Sequence, residues 1–325
     1  MKINRRQFHG VAAGVGALAL TGGAARAQNW PDRPIHLVVT FPPGGTNDII
    51  ARLMGDELSR RFGQPFIIDN KFGGGGNIGA EGVVRAAPDG YTLLQATAAN
   101  ATNAALYPNL PFNFQRDLAP VAGIYGLPLV LVTRPNFVAQ TIPELIAYAR
   151  ANPDKISHGS GGVGSISHIC AEMFKAMSGI RMVHVPYRGS TIELGDLVAG
   201  RIEMAFDPLP SSLDYIRDGR LKALAVTTLA RSETLPDVPT VASFLPGYEA
   251  NVWVGLCAPR ALPADLIQRL NTEINAVLAD AAFRKRMLDL GASPLPLTPA
   301  AFGKLIADDT EKWTKVINAA GIKAE

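Results

Sequence analysis

Hydrophobic positions along the chain alternate between short, nearly continuous apolar runs and longer stretches with a helical repeat. Ile35 to Phe41 is a run of the first kind, suited to a strand buried on both faces of a parallel sheet. Thr46 to Phe62 is of the second kind. There Ile49, Ile50, Leu53, Met54 and Leu58 fall on one side at helical spacing, and Gly63 supplies the stop. A strand at Phe66 to Asp69, a helix at Ile78 to Ala87 and a strand at Tyr91 to Ala96 follow. This alternation predicts parallel βαβ units.

A second series begins near Pro128, with a strand at Leu129 to Val132. Thr141-Ile142-Pro143-Glu144 reads as a capping box opening a helix to Ala151. Strands at Ile156–Gly159, Met182–Val185, Ile202–Phe206 and Leu221–Val226 alternate with helices at Ser165–Met177, Thr191–Val198 and one before Leu221. Val252 to Ala258 is extended again. The remainder is helical: Pro263–Ala279, Ala281–Leu290 and Pro299–Ala320. The expected fold class is α/β, built as two domains in series with a helical C-terminal segment. The economical division is a discontinuous first domain (28–127 plus 252–325) with a second (128–251) inserted. Leu129–Val132 and Val252–Leu256 then serve as hinge strands, and a ligand site falls between the domains.

The first 27 residues change the charge picture. Arg5 and Arg6 form a twin-arginine pair, an Ala/Gly-rich run follows from Val11 to about Gly23, and Ala25-Arg26-Ala27 offers a cleavage point. This pattern is that of an export signal removed after Ala27. The run is too rich in Gly and Ala for a span, which needs ~20 strongly apolar residues. The segment carries Lys2, Arg5, Arg6 and Arg26 and no acid, so 31 basic and 28 acidic residues become 27 and 28. A balance of −1 gives no footing for nucleic-acid binding. The remaining ~300 residues exceed one ordinary core. Cys170 and Cys257 each sit in an apolar stretch and read as buried free thiols rather than a disulfide.

Three Gly-rich turns carry the candidate chemistry. Phe41-Pro42-Pro43-Gly44-Gly45 precedes a helix opening at Thr46-Asn47-Asp48. A helix start presents unpaired N–H groups that favour an anion, and each such bond to a carboxylate contributes roughly 1.5–3 kcal/mol. For Asp48 a capping role outweighs ligand contact. Gly74, Gly76 and Gly79 match G-x-G-x-x-G, as do Gly159, Gly161 and Gly164. The pattern alone suggests a nucleotide-using periplasmic oxidoreductase, but the acidic residue about 20 positions on is missing from a convincing strand end. Gly162, Gly164, Ser165 and His168 form a polar lip. A serine hydrolase centred on Ser165 lacks both the G-x-S-x-G elbow and an orienting acid, and Ser165 also reads as an N-cap. Arg188 reads as solvated. Asp207 closes a strand and either meets a ligand ammonium or hydroxyl or caps the next helix. The histidines show no metal-ligand spacing, and neither metal nor cofactor is expected.

The motifs together resemble the Bug family, the periplasmic receptors of tripartite tricarboxylate transporters. The resemblance runs through Pro31-Asp32-Arg33-Pro34-Ile35, Phe41 to Asp48, Gly76 to Glu81, Ala87 to Leu93 and Asn103 to Pro108. It continues through Gly164-Ser165 with His168, Val185 to Gly189, Ala223 to Thr227 and Leu235 to Thr240. It implies an exported, hinged, monomeric binding protein for a small carboxylate: a dicarboxylate, tricarboxylate, acidic amino acid or aromatic acid. The partner implied is a membrane transporter. One ligand carboxylate is gripped by backbone N–H groups of the loops corresponding to Phe41–Asp48 and Gly161–His168. Thr97, Asn100, Tyr187 and Asp207 fall where the family lines its cleft. Arg188 in place of lysine, and Thr191 in place of a smaller residue, depart from the usual pattern.

Overall fold

The structure, a computed structural model, describes residues 30–107 and 109–323, so the export segment expected at residues 1–27 lies outside the described residues. Ten strands form one sheet, in the order β2-β1-β3-β9-β4-β7-β5-β6, with β8 and β10 also paired to β4. In the first half, β1 (Ile35–Val39) lies parallel to β2 (Phe66–Asn70) and β3 (Thr92–Thr97), with Leu37 opposite both Ile68 and Leu93. In the second half, β5 (Ser157–Ser160) lies parallel to β6 (Val183–Pro186) and β7 (Met204–Pro208). Helix α1 (Thr46–Phe62) has the bounds its periodicity predicts, and it ends at Gly63 in the left-handed conformation, whose N–H bonds to Ser59 O.

Two elements differ from expectation. Strand β4 runs from Leu118 to Thr133, far longer than the expected Leu129–Val132. Pro120 and Gly123 lie within it, each at a register shift against β9 (Asn251–Pro259), where no regular ladder partner is required. Up to Pro128, β4 pairs with β9. From Leu129 onward it pairs with β7 and β8 (Lys222–Val226). The second difference is helix α3 (Ala98–Leu106), which follows α2 (Asn77–Val84) and β3. Its Ala/Asn/Thr composition gives no apolar stripe, yet Ala98 and Ala101 pack in the core and Asn100 Oδ1 accepts the Thr97 N–H.

Both halves are covered by helices on both faces. Leu37, Met54 and Leu256 pack on one side of the first half, and Val38, Leu94 and Trp253 on the other. Leu131, Phe174 and Phe206 pack on one side of the second, and Val132, Leu194 and Leu213 on the other. Chain order gives a short α4 (Phe114–Asp117), α5 (Ile142–Ala151), α6 (Ile166–Ser178), α7 (Ser190–Ala199), α8 (Leu209–Arg217), α9 (Ala264–Ala279) and α10 (Ala281–Asp289), then the two-residue β10 (Ser293–Pro294). The last helix, α11 (Pro299–Ala320), belongs to both halves. Its Phe302 and Ile306 sit in the first half's core, and its Trp313 and Ile317 in the second's. Cys170 and Cys257 are buried and free, and burial pushes both thiols up.

Candidate functional site

The C-terminal ends of the parallel strands in both halves border one cavity of about 340 Å³. This is where open α/β sheets hold their ligands. The first half contributes Thr40, Phe41 and Pro42 after β1, Phe72, Gly73, Gly75 and Gly76 after β2, and Ala99, Thr102, Asn103, Leu106 and Tyr107 on α3. The second contributes Gly161, Gly162, Val163, Gly164 and Ser165 between β5 and α6. A larger groove, about 770 Å³, lies between α6 and α11 with Met173, Met177, Ile180 and Val316 in its floor. None of its lining residues stands at the end of a strand, and its lysines pair with neighbouring acids (Lys175 with Glu172, Lys312 with Asp309, Lys315 with Glu311). We place the site at the strand ends.

Next to the cavity, the first loop is held by Asp48. Its carboxylate is buried and accepts bonds from Gly44 N–H (2.9 Å), Arg52 (2.9 and 2.8 Å) and Asn70 Nδ2 (2.9 Å). Burial pushes its pKa up, but Arg52, Gly44 and Asn70 outweigh that and hold it at about 2. With four donors satisfied, this carboxylate is a latch rather than a ligand contact. Asn47 is tied as well: its Oδ1 accepts the Tyr125 hydroxyl and its carbonyl accepts Gln95 Nε2. The first intrahelical bond runs from Ile49 N–H to Gly45 O. The N–H groups of Thr46, Asn47 and Asp48 are therefore left without intrahelical partners.

The run Gly73–Gly76 has positive φ throughout. A Cβ on Gly75 would stand 2.9 Å from the Tyr107 hydroxyl, and one on Gly79 would stand 2.6 Å from Lys71 O. The glycines thus let this turn lie against α3 and β2, which accounts for the G-x-G-x-x-G match without a nucleotide. Asn103 Nδ2 fastens the turn through Gly75 O (2.9 Å) and Asn77 Oδ1 (2.8 Å).

The loop of the second half is closed on itself. Gly161 N–H donates to Ser167 Oγ, Gly162 N–H to Ser160 Oγ and Gly164 N–H to His168 Nδ1. Ser165 caps α6 and donates its hydroxyl to Gly162 O at 2.7 Å. His168 Nδ1 therefore faces a backbone amide, and Ser165 and His168 form no nucleophile–base pair. Beneath the loop, His168 stacks on His184 (3.8 Å between centroids, 7° between planes), and His184 stacks on His158 at 5.0 Å. Burial, then the neighbouring His184 and Lys175, lowers His158 to about 3. Burial and His168 lower His184 to about 4. His158 is thus neutral and makes no ion pair with Glu172, although their atoms approach to 3.8 Å.

Behind this loop lies an unpartnered acid pair. Asp207 on β7 and Glu193 on α7 are fully buried, and none of their four carboxylate oxygens has a hydrogen-bond partner among the described residues. Burial raises Glu193 to about 9, helped by the Asp207 charge. Burial raises Asp207 to about 7, with nearby Ser190 and Ser212 offsetting part of it.

Of the residues singled out in the sequence, Phe41, Gly162, Gly164 and Ser165 border the cavity. Gly44, Gly45, Thr46, Asn47 and Asp48 form the adjoining loop and helix start. Thr97 and Asn100 are buried at the start of α3, Tyr187 donates its hydroxyl to Asp196, and Asp207 and His168 lie beneath the surface. These five do not border the cavity as the structure stands. Sequence reasoning passed over Phe72, Thr102, Leu106 and Tyr107, and took Val163 only as part of the Gly161–His168 loop. The signal for Phe72 and Val163 was an apolar residue beside each Gly-rich turn; α3, with no apolar stripe, offered none.

Two α/β halves with strand ends and helix starts converging on one small cleft define the solute-binding receptor class. Residues 50–322 match the family described as "Tripartite tricarboxylate transporter family receptor". Among solved structures, R. palustris Rpa4515 with adipate is 36% identical (TM-score 0.79), covering 90% of this chain and 99% of that one. The periplasmic binding protein BugD is 33% identical (TM-score 0.75; 91% and 100% covered). MatC (Rpa3494) from Rhodopseudomonas palustris with bound malate is 31% identical (TM-score 0.74; 89% and 100% covered). The chain belongs to the tripartite tricarboxylate transporter receptor family, the Bug proteins, and has their two-domain binding-protein fold.

Proposed function

We propose that this protein is exported, loses its first 27 residues and binds a small organic carboxylate as a periplasmic monomer, for uptake or sensing through a tripartite membrane transporter. The lobes would be residues 28–127 plus 252–325 and residues 128–251, with the end of α11, from Trp313 onward, packed on the second lobe. The change of β4 partners at Pro128–Leu129 supports the first boundary. The observation that carries the reading is the pairing of two strand–glycine turn–helix units at one cavity, bordered by Thr40 to Pro42 ahead of the α1 N-terminus and by Gly161 to Ser165 at the α6 N-terminus. Such ends favour anions. Adipate in Rpa4515 and malate in MatC agree in chemical class.

The ligand is expected to raise the melting temperature by mass action. A panel of organic acids screened against ligand-stripped protein tests this. Absence of both thermal stabilisation and titration heat across the panel would sink it.

A further inference from the structure

We infer that a second site, apart from the cleft, holds a small oxyanion against another face of α3: a phosphate, a sulfate or the carboxylate of a short organic acid. A separate cavity of about 270 Å³ opens there. It shares only Tyr107 with the cleft. Along α3, Ala99, Thr102, Asn103 and Leu106 border the cleft, whereas Asn100 and Ala104 border this pocket. Its other polar walls are Asn77 at the start of α2, and Asn113 and Arg116 around α4. Phe114, packed in the first half's core, gives it an apolar wall.

This pocket has donors to spare, while its side-chain acceptors are already engaged. Asn77 is 9% exposed and Asn100 3% exposed. Asn77 Oδ1 accepts Asn103 Nδ2 at 2.8 Å, and Asn100 Oδ1 accepts the Thr97 N–H at 2.9 Å. Those bonds fix how each amide is turned and leave both Nδ2 groups without a partner among the described residues. Asn113 Oδ1 is taken by the Arg116 N–H at 2.9 Å. The Arg116 guanidinium gives Nε and Nη2 to Asp117, and its Nη1 has no partner among the described residues. Two buried amides and a guanidinium edge thus border one small cavity. A buried N–H without an acceptor is unfavourable, and the oxygens of an anion relieve it through charge-assisted bonds. Beside the Phe114 ring each such bond counts for more than it would in water. The volume falls below the ~300 Å³ of pockets for drug-sized ligands, so the occupant has few heavy atoms. Because Asn77 Oδ1 holds Asn103, which in turn holds Gly75 O, the anion would touch the brace of the cleft's own turn.

The test titrates isotope-labelled protein with sulfate, phosphate, acetate and the neutral acetamide, at an ionic strength held constant with chloride. The asparagine side-chain amides are followed by nuclear magnetic resonance. At least one of the three anions is expected to shift the Asn77 and Asn100 amides together and saturably, in the millimolar range. Their order identifies the source. Sulfate and phosphate at least tenfold tighter than acetate mark an inorganic ion, the reverse marks an organic acid's carboxylate, and parity marks a general oxyanion site. Arg116→Gln, at an exposed position, removes the charge and should weaken the anion at least fivefold. Asn77→Asp keeps the oxygen that Asn103 uses and replaces the donor with an anion, so the Asn100 shift should vanish. No saturable shift at these two amides, acetamide binding as tightly as acetate, or shifts confined to Thr46–Asp48 and Gly161–Ser165 in the cleft would each overturn the inference. Unchanged affinity in either variant overturns it as well.

Discussion

Asp48 and Asp207 occupy related places in the two halves, each near a helix start at the end of the sheet, and they end up in opposite states. Four donors surround Asp48 and hold it ionised at about 2. No donor reaches Asp207 in good hydrogen-bond geometry, although Ser190 and Ser212 lie near; burial raises it to about 7 beside Glu193, raised to about 9. The same side chain thus braces one loop as an anion and sits behind the other in protonated company. Partners, more than burial, decide what a buried carboxylate does.

The largest expected effect separates the two states by pH. The folded chain keeps protons on Glu193 and Asp207 that the unfolded chain has already released. Their contribution therefore falls as pH rises from about 4 toward 9. Glu193→Gln should raise stability at pH 8 by roughly 2–4 kcal/mol and leave it nearly unchanged at pH 4.5. Denaturant unfolding at the two pH values checks this, and an equal shift at both would refute the protonated pair.

Asp48 should behave in the reverse sense. Its depressed pKa means a contribution fully present above pH 3.8 and lost as pH falls toward about 2. Asp48→Ala should cost roughly 2–3 kcal/mol at pH 7. The gap to the parent protein should close on acidification. A gap that persists at pH 2 would mean that packing, not charge, sets the loss.

The loops themselves give smaller effects. His168→Gln withdraws the ring acceptor from Gly164 N–H and should weaken carboxylate binding about five- to tenfold, on the order of 1 kcal/mol. Unaltered affinity by calorimetry would show that the second loop keeps its shape without the ring. In the first loop, Gly44 has φ +88 and Gly45 has φ −82, with nothing within 4 Å of an added Cβ at either. Gly44→Ala should therefore cost ~1 kcal/mol and Gly45→Ala less than about 0.5. Equal melting points for the two variants would remove the conformational argument.

Much of the fold was legible because its helices carry apolar stripes and cap residues. Thr46–Phe62 and Pro299–Ala320 have the bounds predicted for them, and Thr141 and Ser165 cap the helices they were expected to open. Strand β4 was half hidden because bulges absorb Pro120 and Gly123, a tertiary accommodation that local pattern does not encode. Helix α3 was hidden because it is held by Asn100 and Asn103 rather than by a stripe. At the site, the Gly-rich turns located the cleft. Whether a given amide faces outward depends on where Ser167 or His168 folds back, and that is a three-dimensional fact. Asp207 was read as a strand-end polar residue; its isolation comes from α7 and α8 covering it.

The last helix sets a mechanical limit on all of this. With Phe302 seated in one core and Trp313 in the other, α11 acts as a leaf spring across the joint. If the two halves hinge apart, a helix seated in both would have to bend or lift one of its seats, and opening would then carry a restoring force present before any ligand arrives. The gape should then be shallow, with only a small difference in radius of gyration between empty and filled protein in small-angle scattering. A wide swing would mean that the Trp313 seat lets go.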